Sequence, residues 1–249
     1  MRMKRGGIAE RFDKEDFENC LDDLGSNHDE PYNQTIYRLF KQDPEHLDVK
    51  WTFTKVAGLD KLYSAQLDQY LYTARKKTEP DWLVDETDVH YALAKKILDG
   101  RRKKRFLNLL PPNKTSRSRL RITDLPELSK KVIGLAAFLK DLCGWGDRID
   151  LNGTISFSAK YLHFHSGIVP VFDRRASTTL YNMETGRKVQ SKKLEYGLFC
   201  ELFGEALKRA YPKQSSYTPA NIKNLDGYLY YVDRKDWSLP ASPKEEDNK

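Results

Sequence analysis

The chain of 249 residues has few cysteines, no long apolar run and few strand patterns. Its three cysteines, Cys20, Cys143 and Cys200, are odd in number and far apart, which argues against a disulfide framework and predicts reduced thiols in an intracellular protein. No apolar stretch approaches the roughly 20 residues of a membrane span, and the basic start of the chain lacks the apolar segment of a signal peptide. Only His163 and His165, in "HFH", are closely spaced, so we expect neither a metal nor a cofactor. These absences indicate a protein of the cytoplasm, or of the nucleus in a eukaryote, without a membrane partner.

Acidic residues are missing from one stretch of an otherwise mixed sequence. The formal net charge is +7, and between Gly100 and Arg121 every charge is positive. Since like charges repel, such a stretch is typical either of a surface that contacts nucleic-acid phosphates or of a solvated or targeting basic run. Its basic residues are Arg101, Arg102, Lys103, Lys104, Arg105, Lys114, Arg117, Arg119 and Arg121.

Apolar residues recur with helical spacing along most of the chain, which predicts a mainly α, multi-helix globular fold with few or no strands. In the strongest helix Asp124 is expected to cap the N-terminus and Pro126 to lie in the first turn. The segment "VKWTFTKVAG", residues 49–58, is a candidate strand. The predicted helical segments are 8–25, 33–42, 59–77, 86–100, 124–146, 191–212 and 218–237.

The loop that follows Leu110 suggests a boundary between two regions. We expect an N-terminal helical region at 1–110, a second helical region at 111–240, and a disordered tail at 241–249, where the composition is polar and charged.

The segment from Leu151 to Met183 places a lone carboxylate, Asp173, directly after the apolar connector "IVPVF". An aspartate there caps a helix, because its side chain accepts hydrogen bonds from free backbone N–H groups. The same position also suits a carboxylate that takes part in chemistry. Both interpretations stay open from the sequence alone.

The segment resembles the core of the helix-hairpin-helix superfamily of DNA glycosylases, over roughly residues 125–185. In that family a hairpin of the form L-P-G-V-G-x-x-T-A leads into an apolar helix, and a connector of the form P-x-x-V-D follows. Leu151, Gly153, Ser158 and Ala159 match the hairpin and the helix start, and Asp173 matches the family's essential carboxylate. The resemblance implies a helix-hairpin-helix-like core.

The resemblance also implies an activity, hydrolysis of the N-glycosidic bond of a damaged or modified base. Asp173 would stabilise the oxocarbenium-like transition state and orient the attacking water. Phe157 occupies the position of the family's Schiff-base lysine, so we expect a monofunctional enzyme that does not cut the strand. Lys160, three residues later, is expected to be solvated, to contact a phosphate or to take a catalytic part. The protein would serve DNA repair or antiviral defence.

The base must leave the DNA stack, so the resemblance also implies a pocket and phosphate anchors. For His163 and His165 the competing interpretation is ordinary packing, with one of the two exposed. The expected pocket residues are Trp145, Phe157, Tyr161, His163, His165 and Phe172. The expected DNA-binding residues are Gly153, Arg101, Arg102, Lys103, Lys104, Arg105, Lys114, Arg117 and Arg119.

Two other functions fit the same sequence. Ile155 replaces the hairpin's second glycine, which permits a catalytically inactive helical protein that binds DNA. Alternatively, the chain is a helical protein-interaction module whose basic run binds an acidic partner.

Overall fold

The computed structural model describes residues 31–62, 88–113, 118–143, 151–186 and 194–238, together with residues 15, 17–21 and 67. A single 3₁₀ turn, Ile122–Asp124, precedes the fifth helix, and the described residues contain one isolated antiparallel bridge, Leu120 with Tyr217, and no strand. The predicted mainly α class is confirmed. The helices are α1 Pro31–Gln42, α2 Val49–Leu62, α3 Val89–Ile97, α4 Gly100–Leu109, α5 Leu125–Leu142, α6 Leu151–Ser166, α7 Arg174–Thr185, α8 Tyr196–Ala210 and α9 Pro219–Ser238.

The candidate strand at 49–58 is wrong, because these residues form most of α2. Asp48 caps the helix by accepting from the backbone N–H groups of Lys50, at 2.6 Å, and Trp51, at 3.3 Å. The buried residues are spaced by three and four positions, which is the period of a helix face. They are Thr52, Lys55, Val56, Leu59 and Asp60.

The caps of two other helices differ in their chemistry. Asp124 stands at the N-cap position of α5, but its carboxylate accepts from the backbone N–H of Arg121 at 2.9 Å and from no helical N–H. The predicted cap of α5 is therefore corrected. Thr218 does cap α9, since its hydroxyl accepts from the N–H of Asn221 at 3.2 Å.

Helix α6 lies at the centre of the fold. It packs most extensively against α5 and also contacts α1 and α2, and every residue from Phe157 to Gly167 is buried. A helix that is buried all round is normally apolar, yet α6 carries Lys160, His163 and His165 among its buried side chains. Each of these polar groups needs a partner in the interior, and those partners define the polar sites of the protein.

The two predicted regions share one hydrophobic core. Buried residues from α1 to α4, such as Ile36, Leu59 and Phe106, belong to the same cluster as Leu135 of α5 and Leu207 of α8. All three cysteines are buried, and none forms a disulfide with another described residue. The tail at 241–249 and the pocket candidate Trp145 lie outside the described residues.

A buried ion pair joins α7 to α8 and gives a stability prediction. Glu184 is 3% exposed, its Oε2 accepts from Arg209 Nη2 at 2.5 Å, and burial raises the pKa of Glu184 against the pull of Arg209. Arg209→Met leaves the carboxylate without its cation, so we expect the free energy of unfolding at neutral pH to fall by about 3 kcal/mol or more. Denaturant titration measures this change.

The matched control is Lys208→Met, the adjacent residue, whose partner Glu205 is exposed. Exposed pairs contribute little, so this variant should lose less than about 1 kcal/mol. The loss from Arg209→Met should also shrink in acid, because a protonated Glu184 no longer needs a cation. Equal losses for the two variants would show that the buried pair has no special contribution.

Candidate functional site

Asp173 stands where an extended connector meets α7. Gly167 ends α6 with a left-handed backbone (φ 72°), a conformation that favours glycine, and the chain then runs through Phe172 to Asp173. The Asp173 Oδ1 atom accepts from the N–H of Ala176 at 2.9 Å, so the aspartate is an N-cap as predicted. Its second oxygen, Oδ2, accepts from the hydroxyl of Tyr230 on α9. A cap needs only one of these contacts.

Lys160 of α6 lies beside Asp173 in the interior. It is 6% exposed, so the expectation of a solvated lysine is wrong. Burial lowers the pKa of Lys160, while the nearby charges of Asp173 and Asp226 act in the opposite direction. Its ammonium group is therefore placed to balance carboxylate charge.

Asp226 of α9 is the member of this site that the sequence analysis missed. Burial raises the pKa of Asp226, and the charge of Asp173 raises it further. Its Oδ1 is shielded from solvent and has no hydrogen-bond partner among the described residues. Tyr230 follows one turn later, on the same face of α9. We call Lys160, Asp173, Asp226 and Tyr230 the Asp173 cluster.

His163 and Tyr37 form a hydrogen-bonded pair near this cluster. The Nδ1 of His163 lies 2.7 Å from the carbonyl oxygen of Val169, and since a carbonyl only accepts, Nδ1 carries the proton. Its Nε2 then accepts from the Tyr37 hydroxyl at 2.8 Å. Burial raises the pKa of Tyr37, and the charge of Asp226 adds to the rise, which places Tyr37 within electrostatic reach of Asp226.

A second polar system, which we call the histidine chain, comprises Tyr161, His46, His165 and Lys55. His165 Nε2 donates to the carbonyl of Pro111 at 2.8 Å, so its Nδ1 accepts from His46 Nε2 at 3.2 Å. His46 Nδ1 in turn accepts from the Tyr161 hydroxyl at 3.0 Å and faces the Lys55 ammonium at 3.3 Å.

Burial and neighbouring charge keep the two histidines of this chain neutral. Burial, with Lys55 and His165 nearby, lowers the pKa of His46 to about 2. Burial also lowers the pKa of His165 to about 4. Burial lowers the pKa of Lys55 to about 8. The backbone of His46 is left-handed (φ 51°), a strained conformation for a residue other than glycine.

The predicted pocket residues that the structure describes are packed in the core. Phe172 packs edge-on against Tyr196 and Phe199, with ring centroids 5.2 and 5.1 Å away. The expectation that one of the two histidines is exposed is also wrong, because the interior supplies both with acceptors and donors. The side chains are 1 to 6% exposed, and they are Phe157, Tyr161, His163, His165 and Phe172.

Most of the predicted DNA-binding residues lie on α4, which the sequence analysis did not predict to be a helix. Arg105 donates to Asp141 at 2.9 Å and lies over the ring of Phe138 at 5.3 Å. The α4 residues form what we call the basic face. They are the exposed Arg101, Arg102, Lys104 and Arg105 and the half-buried Lys103.

The basic face adjoins the end of α5. A surface groove of about 280 Å³ is lined there by Arg101, Arg102, Arg105, Phe138, Asp141 and Leu142. Three basic residues, 101–103, stand in the first turn of α4, where the helix dipole disfavours positive charge. Gly153 lies in the first turn of α6 and Arg119 is exposed on the chain before α5, whereas Lys114 and Arg117 fall outside the described residues.

Comparison of the chain with known proteins finds no relative. No protein-family model, curated protein or solved structure matches the chain. Within the described ranges, no group of three or more histidine, cysteine, aspartate or glutamate side chains could hold a metal ion. None of the described helices combines the length and apolarity needed to cross a membrane.

Proposed function

We propose that the protein is a monofunctional DNA glycosylase-like enzyme that hydrolyses the N-glycosidic bond of a damaged or modified base, with Asp173 as its carboxylate. The observation that carries the proposal is the surroundings of Asp173. A helix cap requires only the contact with Ala176, yet the structure also gathers a buried ammonium and a second carboxyl around this side chain. Buried charge of this kind is unfavourable for stability and is typical of functional sites.

The roles within the site follow from charge. Cleavage of the N-glycosidic bond builds positive charge on the sugar, which a nearby carboxylate stabilises. Lys160 is buried near the carboxylates of the cluster and balances their charge. It does not occupy the position of the family's Schiff-base lysine, so we assign it no role as a nucleophile. With Phe157 buried in the position of the family's lysine, no Schiff base is expected and the product is an intact strand with an abasic site.

The basic face supports nucleic acid as the partner. It adjoins the end of α5, from which the chain continues into α6 and Gly153. In the glycosylases that the sequence resembles, the hairpin glycines approach the DNA backbone, and Gly153 matches the first of them. We infer that the basic face binds phosphates of a duplex.

The placement of these cations predicts a steep salt dependence. Among the described residues the ion pairs of α4 are made by Arg102 and Arg105, and none involves Arg101, Lys103 or Lys104. Replacing all three with glutamine should weaken binding to random duplex at low salt. It should also reduce the slope of log affinity against log salt by up to about 0.9 for each phosphate that the variant no longer neutralises. Fluorescence anisotropy over a salt series measures both.

A control removes the same charge elsewhere, through glutamine at the exposed Lys130, Lys208 and Lys213. This variant should keep most of the wild-type slope. A wild-type affinity that does not depend on salt would instead favour the protein-interaction module with an acidic protein partner.

One observation favours an inactive DNA-binding protein as the second candidate. The Tyr230 hydroxyl donates a hydrogen bond to Asp173 Oδ2, the oxygen that would face the sugar of a substrate. Catalysis requires this hydroxyl to be displaced by the sugar or to remain as a hydrogen bond that orients the carboxylate. Release of free base by the wild type, detected by mass spectrometry, separates the enzyme from the binding protein.

A further inference from the structure

Asp226 shares its surroundings with Asp173 but differs from it in hydrogen bonding. Asp173 has a donor on each oxygen, Ala176 N–H and the Tyr230 hydroxyl. Asp226 Oδ1 is buried and has no partner among the described residues. A buried carboxylate oxygen without a donor is unfavourable, whereas a protonated carboxyl is neutral and tolerates burial.

The charges of the cluster also favour a protonated Asp226. Two carboxyls face one buried ammonium, that of Lys160, and Tyr230 and Tyr37 also lie within electrostatic reach of Asp226. The only other cation that acts on the described cluster is Arg175, which faces Tyr230 and is exposed, so solvent screens its charge. With both carboxyls ionised the buried group would carry a net negative charge, so one proton is retained by the pair. Both oxygens of Asp173 already accept hydrogen bonds. The retained proton is therefore placed on Asp226.

We propose that Asp226 is a second catalytic residue, the general acid that protonates the departing base. This inference rests on the proposed glycosylase function and extends it. In glycoside hydrolysis the usual catalysts are two neighbouring carboxyls, of which the surroundings keep one protonated and the other ionised.

The step balances as a hydrolysis. Asp226 gives its proton to a ring nitrogen or exocyclic oxygen of the base as the C–N bond breaks and the bonding electrons leave with the base. Water forms the new C–O bond at the sugar, on the face that Asp173 stabilises, and the proton it loses returns to the Asp226 carboxylate. The substrate class is therefore a base that is neutral in DNA and needs a proton to leave.

The first experiment measures whether Asp226 is protonated, and it does not depend on enzymatic activity. Infrared difference spectra in deuterated buffer at neutral pH compare the wild type with Asp226→Asn. We expect a carboxylic-acid carbonyl band that the variant lacks. Asp173→Asn should remove the same band, because one ammonium then faces one carboxyl and Asp226 ionises. Asp88→Asn, an exposed capping aspartate, is the control and should retain the band. A carboxylate band in place of the acid band would overturn the proposal.

The second experiment separates leaving groups by charge. Single-turnover base release is measured on methylated DNA, whose 7-methylguanine and 3-methyladenine are already cationic, and on duplexes with the neutral bases hypoxanthine or uracil. Asp226→Asn should slow release of a neutral base by about 100-fold or more and leave release of a cationic base almost unchanged.

The outcomes of this second experiment are distinct. Equal slowing of both classes, no slowing, or a wild type that releases only cationic bases would each contradict the donor role while keeping the glycosylase. If the wild type releases no base at all, the glycosylase and the donor role fall together, and the infrared band still decides whether the pair shares a proton.

Discussion

Asp173→Asn is expected to reduce base release by about 1000-fold, while the variant folds and binds DNA as the wild type does. Asparagine is as good an N-cap as aspartate, so the hydrogen bond from Ala176 and the start of α7 are retained. What the variant loses is the negative charge that, in the proposed function, stabilises the sugar cation. Release is measured under single-turnover conditions, and affinity is measured on the same duplex.

The matched control is Asp88→Asn at the start of α3. Asp88 is also an N-cap, and its carboxylate accepts from the N–H groups of His90 and Tyr91 at 2.8 and 3.2 Å. If Asp173 acted only as a cap, the two substitutions would have the same small effects on stability and none on release. Full activity in Asp173→Asn would therefore return Asp173 to the role of a helix cap.

Acidification is expected to unfold the protein through the histidine chain. His46 and His165 have pKa values of about 2 and about 4 in the folded protein, against 6.5 as ordinary histidines. The unfolded chain therefore binds more protons than the folded one below pH 6.5. The free energy of unfolding is at its full value above pH 6.5 and falls as the pH drops towards 4, by about 3 kcal/mol for each histidine. Together the two losses are comparable with the whole stability of many domains.

The variant that tests this account is His165→Gln. Glutamine can still donate to Pro111 and accept from His46, but it does not titrate. The free energy of unfolding is measured with denaturant at several pH values between 4 and 7. Its dependence on pH should be weaker in the variant than in the wild type, because the variant binds one proton fewer on unfolding. A slope equal to that of the wild type would show that this histidine is not held neutral by its surroundings.

The sequence predicted most of the fold because most helices have clear apolar periods and breaker residues. The error at 49–58 has a physical cause. Val, Trp, Phe and Thr are common in strands, but Asp48 supplies a cap and the buried positions follow the helical period. The basic run was not predicted as a helix, since α4 buries only Phe106 completely and thus has little apolar pattern.

The candidate site was predictable only in part. Asp173 stood out because it follows an apolar connector, and the structure confirms its place at a helix start. Asp226 and Tyr230 lie more than fifty residues further along the chain, and their meeting with Asp173 depends on how α9 packs against α7. The polar residues of α6 were read as partly exposed because no local pattern shows that this helix is surrounded on all sides.

The most direct test of the central claim is the fate of the DNA itself. A duplex with a panel of modified bases is incubated with the purified protein, the freed base is identified by mass spectrometry, and the strand is examined before and after alkali. We expect a free base, an intact strand before alkali and cleavage after it, all absent with Asp173→Asn. DNA that is bound but releases no base from any substrate, with the wild type and the variant alike, would contradict the account.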